Sequence, residues 1–149
     1  MSMESDVRVI VADIMHHQVF TIGKNETVAD AIALMQLENV RTLIIKPEDQ
    51  YDSYGIITVR DVVYQVIARR ISPAIVKVSE IMRSPCIMMY PDLDIYEAAQ
   101  RLAAGGIQRA PVIGFSDYGD DKLLGIISLS DIVMKLELNA LTGEGLVAV

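Results

Sequence analysis

The sequence has few of the residues that build disulfides, metal sites or aromatic cores. Among 149 residues there are one cysteine, two histidines, two phenylalanines and no tryptophan. A lone cysteine excludes an intrachain disulfide and argues against a cysteine-based zinc site, so no metal site is predicted. The hydrophobic content is nevertheless 52%, so the core must consist mainly of Ile, Val, Leu, Met and Ala.

Positive charge is also scarce. Thirteen Lys and Arg stand against twenty Asp and Glu, which gives a net charge of −7 and argues against a nucleic-acid binder. A local group of arginines could still hold one phosphorylated small molecule. The sequence shows neither a signal-peptide pattern nor a run of about 18 apolar residues, so we predict a cytoplasmic protein without membrane contact.

The chain contains an internal repeat, with copies at residues 11–67 and 78–137. The segment Val11-Ala12-Asp13-Ile14-Met15 matches Val78-Ser79-Glu80-Ile81-Met82 at an offset of 67 residues. The offset grows to 70 further along, and the extra residues fall in the acidic stretch 115–122, which predicts a loop. Two copies of about 60 residues each would gain by packing together.

Each copy has the same predicted order of elements, which is strand, helix, strand, strand, helix. Thr27 with Asp30, and Asp94 with Glu97, have the spacing of a helix cap and its partner. The apolar pattern predicts strands at 19–22, 42–45, 55–57, 86–89, 110–113 and 123–127 and second helices at 59–70 and 129–141. We therefore predict an α/β (α+β) fold of two β-α-β-β-α units, residues 1–76 and 77–149.

The most informative segments are Gly55-Ile56-Ile57-Thr58-Val59-Arg60-Asp61 and Gly125-Ile126-Ile127-Ser128-Leu129-Ser130-Asp131. A Ser or Thr three residues before an acid is a helix cap, worth about 1 kcal/mol. The same geometry suits a ligand, because a hydroxyl beside free N–H groups can contact a phosphate. A carboxylate one turn further could accept hydrogen bonds from both hydroxyls of a ribose. The two interpretations are compatible.

The order of these motifs resembles that of CBS domains, the regulatory modules named after cystathionine β-synthase. The resemblance rests on the opening Asp-Ile-Met and Glu-Ile-Met, on Ala110-Pro111-Val112 and on the two Gly-Ile-Ile-Thr/Ser-x-x-Asp segments, and it covers nearly the whole chain. It implies two units related by a pseudo-twofold axis in one Bateman-type module with two clefts. Such clefts commonly bind AMP, ADP, ATP or another adenosine compound, with S-adenosylmethionine as a further candidate ligand.

The resemblance implies two ligand sites, each with residues from both copies. The first contains Thr58, Arg60, Asp61, Pro85, Cys86, Ile87, Gln108, Arg109, Ala110 and Pro111. The second contains Gln18, Val19, Phe20, Arg41, Thr42, Leu43, Ser128 and Asp131. The first is favoured because Arg60 and Arg109 could reach phosphates. The second has Ser130 in place of Arg60, and Ile44 where the family pattern has proline.

The predicted function is that of a stand-alone CBS-pair sensor that binds an adenine nucleotide and signals to an unknown regulated protein by a conformational change. No catalytic residues are predicted, since the sequence contains no nucleophile–base pair, and no cofactor is required. The alternative is a ligand-independent structural or dimerisation module, in which the repeated segments are only helix caps. Apolar residues on several sides of the second helices, such as Val63, Ile67 and Val133, predict that these helices also pack against a partner chain. The family resemblance implies that this partner is a second copy, in a homodimer.

Three further residue types have structural predictions. His16 and His17 are expected in a partly exposed turn rather than at a metal. Cys86 is expected to be an inert thiol, because no feature supplies it with a base. Four methionines, Met15, Met35, Met82 and Met134, fall at positions typical of the core.

Overall fold

A computed structural model describes residues 8–115 and 121–137 of the chain, which divide into two compact units. The central unit is Val19–Cys86, and the terminal unit combines the chain up to Gln18 with the chain from Ile87 onward. Both units contain helices and an antiparallel pair of strands, so the predicted α+β class is confirmed. The predicted division at residues 76 and 77 concerns the sequence repeats and stays a prediction.

The helices and strands follow the repeat. In chain order they are α1 (Val11–Ile14), α2 (Val28–Glu38), β1 (Thr42–Ile45), β2 (Gly55–Thr58), α3 (Val59–Val62), a π-helix (Val63–Ile67), a 3-10 helix (Pro73–Ile75), α4 (Val78–Ile81), α5 (Ile95–Gly105), β3 (Arg109–Phe115), β4 (Asp121–Ser128) and α6 (Leu129–Lys135). The four paired strands lie within two residues of their predicted positions, and α2 and α5 begin directly after the predicted caps. At α5 the partner differs from the prediction, because Asp94 accepts from the Tyr96 N–H at 2.9 Å and Glu97 pairs with Arg101 instead. Within the described ranges, no helix has the length and apolar content needed to cross a membrane.

Two kinds of predicted element differ from the structure. The stretches at 19–22 and 86–89 are not strands, because each pairs with a sheet at a single residue, Thr21 with Ile44 and Met89 with Val112. The second helix of the first copy is α-helical only over α3 and continues as the π-helix. In the second copy α6 ends at Lys135, and the predicted residues 138–141 lie outside the described part of the chain.

Each compact unit contains the opening helix of the other sequence copy. Helix α4 begins the second copy but lies in the central unit, where the Val78 N–H donates to the Glu26 carbonyl at 2.8 Å. Helix α1 begins the first copy but lies in the terminal unit, where the Val11 N–H donates to the Leu93 carbonyl at 2.9 Å. The two bonds join equivalent residues of the repeat. The copies therefore exchange their opening helices.

Each unit has its own apolar core of aliphatic residues and methionine. The central core contains Val28, Ala31, Met35, Leu43, Ile45, Ile57, Val62, Val66, Val76, Val78 and Ile81. The terminal core contains Val11, Ile14, Met15, Met89, Ile95, Ala98, Leu102, Ala110, Val112 and Ile127. Met82 packs against the central core, as predicted. Met134 is 80% exposed, so its predicted core position is wrong: α6 has apolar residues on more than one side, and Met134 lies on the outer one.

Candidate functional site

In each unit, the strand that carries the repeated motif pairs with one residue of an opening segment. This residue is the second one after the opening helix. In the central unit Ile56 and Arg83 exchange two backbone hydrogen bonds, of 3.0 and 2.9 Å. In the terminal unit Ile126 and His16 exchange two, of 2.9 and 2.8 Å. Arg83 and His16 occupy equivalent positions in the repeat. The exchanged opening segments therefore lie directly beside the two motifs.

The glycine of each motif permits this pairing. A Cβ added to Gly55 would lie 3.0 Å from Met82 Sδ and 3.3 Å from the Arg83 carbonyl oxygen. A Cβ added to Gly125 would overlap the His16 carbonyl oxygen. Both glycines are buried in strands, where their role is to let another backbone come close.

Thr58 and Asp61 form a reciprocal cap at the start of α3. The N–H and hydroxyl of Thr58 donate to Asp61 Oδ2 at 2.9 and 3.0 Å, and the Asp61 N–H donates to Thr58 Oγ1 at 3.4 Å. The Asp61 side chain is only 3% exposed, and its Oδ1 lies 3.5 Å from Nε of Arg83. Burying a charge is unfavourable unless it is paired, and Thr58 and Arg83 provide that pairing. A carboxylate oxygen accepts more than one hydrogen bond, so Asp61 can also accept a ligand hydroxyl.

Ser128 and Asp131 form the equivalent cap at the start of α6. The Ser128 hydroxyl donates to Asp131 Oδ2 at 2.9 Å, and the Asp131 N–H donates to Ser128 Oγ at 3.1 Å. Here the cation is Lys135, whose Nζ lies 3.3 Å from Asp131 Oδ1. The same Nζ donates to the Ile14 carbonyl of α1 at 3.1 Å.

The two motifs thus share the cap but differ in the cation beside the carboxylate. Gln65 occupies the repeat position of Lys135, and its side-chain amide donates to the Ile81 carbonyl at 3.4 Å. Sequence reasoning missed both Arg83 and Lys135. Lys135 had a visible signal, since it follows Asp131 by one helical turn. Arg83 had none in local spacing, because its contact with Asp61 depends on the pairing of α4 with the central unit.

The two arginines predicted to bind phosphate have other neighbours within their units. The Arg60 guanidinium lies 5.3 Å from the centre of the Tyr64 ring, a cation–π contact on the exposed side of the helix. Arg109 is the cross-strand partner of Ser128. It therefore lies beside the second motif within the terminal unit, although the resemblance assigned it to the first site.

Each predicted site draws residues from both units. For the first site, Thr58, Arg60, Asp61, Pro85 and Cys86 belong to the central unit, and Ile87, Gln108, Arg109, Ala110 and Pro111 to the terminal unit. For the second, Val19, Phe20, Arg41, Thr42 and Leu43 belong to the central unit, and Gln18, Ser128 and Asp131 to the terminal unit. The side chains of Leu43 and Ala110 are fully buried in the unit cores, so only their backbones could contact a ligand.

Thr42 contributes a buried hydroxyl that the fold does not satisfy. Its Oγ1 has no hydrogen-bond partner among the described residues, although the residue is only 9% exposed. Thr42 is the cross-strand partner of Thr58, so it lies beside the first motif within the central unit. A buried hydroxyl without a partner costs about 1–3 kcal/mol, and a water or ligand atom would remove that cost.

Cys86 has a free, partly buried thiol. Its backbone N–H donates to the Tyr54 carbonyl at 3.2 Å. Burial raises the pKa of the Cys86 thiol to about 11. It belongs to no metal-binding group, because residues 8–115 and 121–137 contain no set of three or more His, Cys, Asp or Glu that could hold an ion.

The raised pKa predicts a thiol that is unreactive in the folded protein. At pH 8 roughly one Cys86 in a thousand would be ionised, against about a quarter of unperturbed thiols. We expect a disulfide reagent such as DTNB to react at least about 100-fold more slowly with the folded protein than with the protein in denaturant. The folded-state rate should rise about tenfold per pH unit from pH 8 to 9. Equal rates in the two states would contradict this prediction.

The sequence of the whole chain matches a known protein family. A family model for the CBS domain matches residues 11–68 and 78–138, which cover both copies of the repeat. The chain belongs to the CBS-domain family. The two CBS domains each contain one Gly-Ile-Ile-Thr/Ser-x-x-Asp motif, and the predicted tandem resemblance is confirmed.

Relatives of this CBS pair include proteins of known structure. A protein of Methanopyrus kandleri is 30% identical over 125 residues, and the match covers 84% of this chain and 61% of that relative. A hexameric CBS-CP12 protein from bloom-forming cyanobacteria is 40% identical, with a TM-score of 0.82 over 90% of this chain and 75% of that chain. The CBS domain pair of protein MJ0100, in complex with 5′-methylthioadenosine and S-adenosyl-L-methionine, is 24% identical, with a TM-score of 0.69 over 86% of this chain and 95% of that chain.

Proposed function

We propose that this CBS pair is a non-catalytic regulatory protein that binds an adenosine compound, with the first motif as the stronger site. AMP, ADP and ATP are the first candidates, and S-adenosylmethionine is the next. The observation that carries the proposal is the buried, paired carboxylate of Asp61 beside the Thr58 hydroxyl. Its role in a ligand site is to accept hydrogen bonds from the ribose hydroxyls.

Comparison with a third cap in the same chain supports a role for Asp61 beyond helix capping. Thr27 and Asp30 form the same reciprocal hydrogen bonds at the start of α2, both of 3.1 Å. Asp30 is exposed, whereas Asp61 is buried beside a guanidinium. A cap functions in water, so the burial and the arginine at Asp61 go beyond what capping requires. This difference supports a ligand role at the motif.

The fold is suited to this class of ligand. The CBS pair of MJ0100 shares the fold and holds two adenosine compounds, which supports the choice of adenosine compounds as the first candidates here. Signalling would follow if the ligand bound one conformation more tightly than another, because a ligand with equal affinity for both shifts no population. A separate regulated protein would then recognise the favoured conformation.

Isothermal titration calorimetry with AMP, ADP, ATP and S-adenosylmethionine tests the proposal, with GMP as the control for base selectivity. We expect saturable binding of at least one adenine compound and weaker binding of GMP. A folded protein that binds none of them at millimolar concentration would refute the ligand-binding function. Thermal melts should agree, since a ligand that binds only the folded state raises the melting midpoint.

A second candidate function, a ligand-independent interaction module, is favoured by the exposed apolar surface of the second helices. Val63, Tyr64 and Ile67 are 44%, 63% and 52% exposed, and Val133 and Met134 are 76% and 80% exposed. Large apolar side chains grouped on a surface are typical of protein interfaces, and we propose that they form a homodimer. Sedimentation analysis measures the dimer, and a melting midpoint indifferent to all four adenine compounds would favour this second function over the first.

A further inference from the structure

We propose that Arg83 sets the charge preference of the first motif, so that this motif favours adenosine compounds carrying a phosphate group. The inference deepens the proposed function and rests on it. Arg83 lies outside every residue set that the sequence motifs define, and its placement beside Asp61 comes from the exchange of opening helices. Its role is that of a specificity-determining residue.

The backbone of Arg83 is fixed, whereas its side chain remains accessible. Two backbone hydrogen bonds with Ile56, of 2.9 and 3.0 Å, hold the residue against β2. The side chain contacts Asp61 through Nε at 3.5 Å and is 47% exposed. Among the described residues the Arg83 side chain has no hydrogen bond and no ion pair other than the one with Asp61. The ion pair with Asp61 therefore places one edge of the guanidinium beside the carboxylate, and its remaining donors are available to an anion.

A guanidinium held in this way matches a phosphate group. Its donors form a planar fork that binds two phosphate oxygens at once, and such charge-assisted bonds are stronger than neutral ones. Because Asp61 is the proposed ribose contact, a cation attached to it lies next to the sugar, where a 5′-phosphate begins. Arg60 is less suited to this task, since its guanidinium already lies over the Tyr64 ring.

The second motif lacks an equivalent group at this position. His16 occupies the repeat position of Arg83. The cation beside Asp131 is Lys135, whose ammonium is also bound to the Ile14 carbonyl at 3.1 Å. Lysine offers a point charge rather than a planar fork. Substitution of Lys135 is therefore the matched control for substitution of Arg83.

The test compares AMP with adenosine, which differ only by the phosphate, in an Asp131→Asn background that removes the proposed ribose contact of the second motif. Arg83→Gln keeps a donor for Asp61 but removes the charge. We expect it to lower AMP affinity at least about tenfold and to change adenosine affinity less than about threefold. Arg83→Lys should restore part of the preference, and Lys135→Met should leave it unchanged. Added salt should weaken AMP binding less in the Arg83→Gln variant than in the protein that keeps Arg83, because the variant lacks the charge that salt screens.

Each outcome of these titrations decides the role of Arg83. An unchanged ratio of AMP to adenosine affinity in Arg83→Gln would overturn the inference. An equal loss of both affinities would also overturn it, because Arg83 would then only hold Asp61 in place. If the parent protein bound neither compound, this inference would be overturned, whereas the proposed function would fail only if ADP, ATP and S-adenosylmethionine also did not bind. A thermal melt of every variant checks the fold, and Arg83→Lys serves as the second test if Arg83→Gln does not fold.

Discussion

Asp61→Asn is expected to weaken AMP binding at least about 100-fold while the protein remains folded. Hydrogen bonds to a charged partner contribute about 1.5–3 kcal/mol each, and in the proposed site the ribose would offer two hydroxyls to this carboxylate. Asparagine keeps the size of the side chain and can still accept from the Thr58 N–H, which donates to Asp61 at 2.9 Å. Calorimetry measures the loss of affinity, and circular dichroism with a thermal melt confirms the fold.

Two further carboxylates of the chain provide matched controls. Asp131→Asn changes the equivalent residue of the second motif, whose side chain is 13% exposed and paired with Lys135. Its effect on AMP affinity should be smaller than that of Asp61→Asn, and the reverse order would show that the second motif is the stronger site. Asp30→Asn changes a cap that is exposed and should not affect binding. If all three variants bind AMP equally well, the repeated motifs are only helix caps.

Gly125→Ala is expected to destabilise the protein by about 1–3 kcal/mol or more, as overpacking of a well-packed region does. The added Cβ would overlap the backbone carbonyl oxygen of His16, which accepts from the Ile126 N–H at 2.9 Å, and the His16 N–H in turn donates to the Ile126 carbonyl at 2.8 Å. The pairing of the opening segment with β4 would have to open. Urea denaturation at neutral pH measures the change in the free energy of unfolding.

The equivalent glycine of the first motif should tolerate the same change better. At Gly55 the nearest atom to an added Cβ is Sδ of Met82 at 3.0 Å, the end of a flexible side chain, although the Arg83 carbonyl follows at 3.3 Å. Gly23→Ala is the surface control, since its nearest neighbour is the Glu26 side chain at 3.6 Å. If Gly55→Ala destabilised the protein as much as Gly125→Ala, the overlap with the His16 backbone would not be the cause of the loss of stability at Gly125.

The sequence by itself determined the repeat, the order of elements and the caps. Strands and helices have fixed side-chain periods, and the caps at Thr27, Thr58 and Ser128 are bonds between residues three positions apart. These features are visible in one stretch of chain. The structure pairs β1 with β2 and β3 with β4, strands that are consecutive in the chain. The segments before α2 and α5 were predicted to be strands, but each pairs with a sheet at a single residue. Apolar content does not reveal how many residues of a segment find a partner.

Only the tertiary structure decided which residues distant in sequence lie beside the two motifs. The exchange of opening helices brings Arg83 to Asp61, and cross-strand register places Thr42 beside Thr58 and Arg109 beside Ser128. These neighbours are distant in sequence, and their contacts depend on which backbone edges pair, a choice that no local spacing expresses. The copies of the repeat therefore share a cap that the sequence displays, whereas the guanidinium beside Asp61 comes from packing.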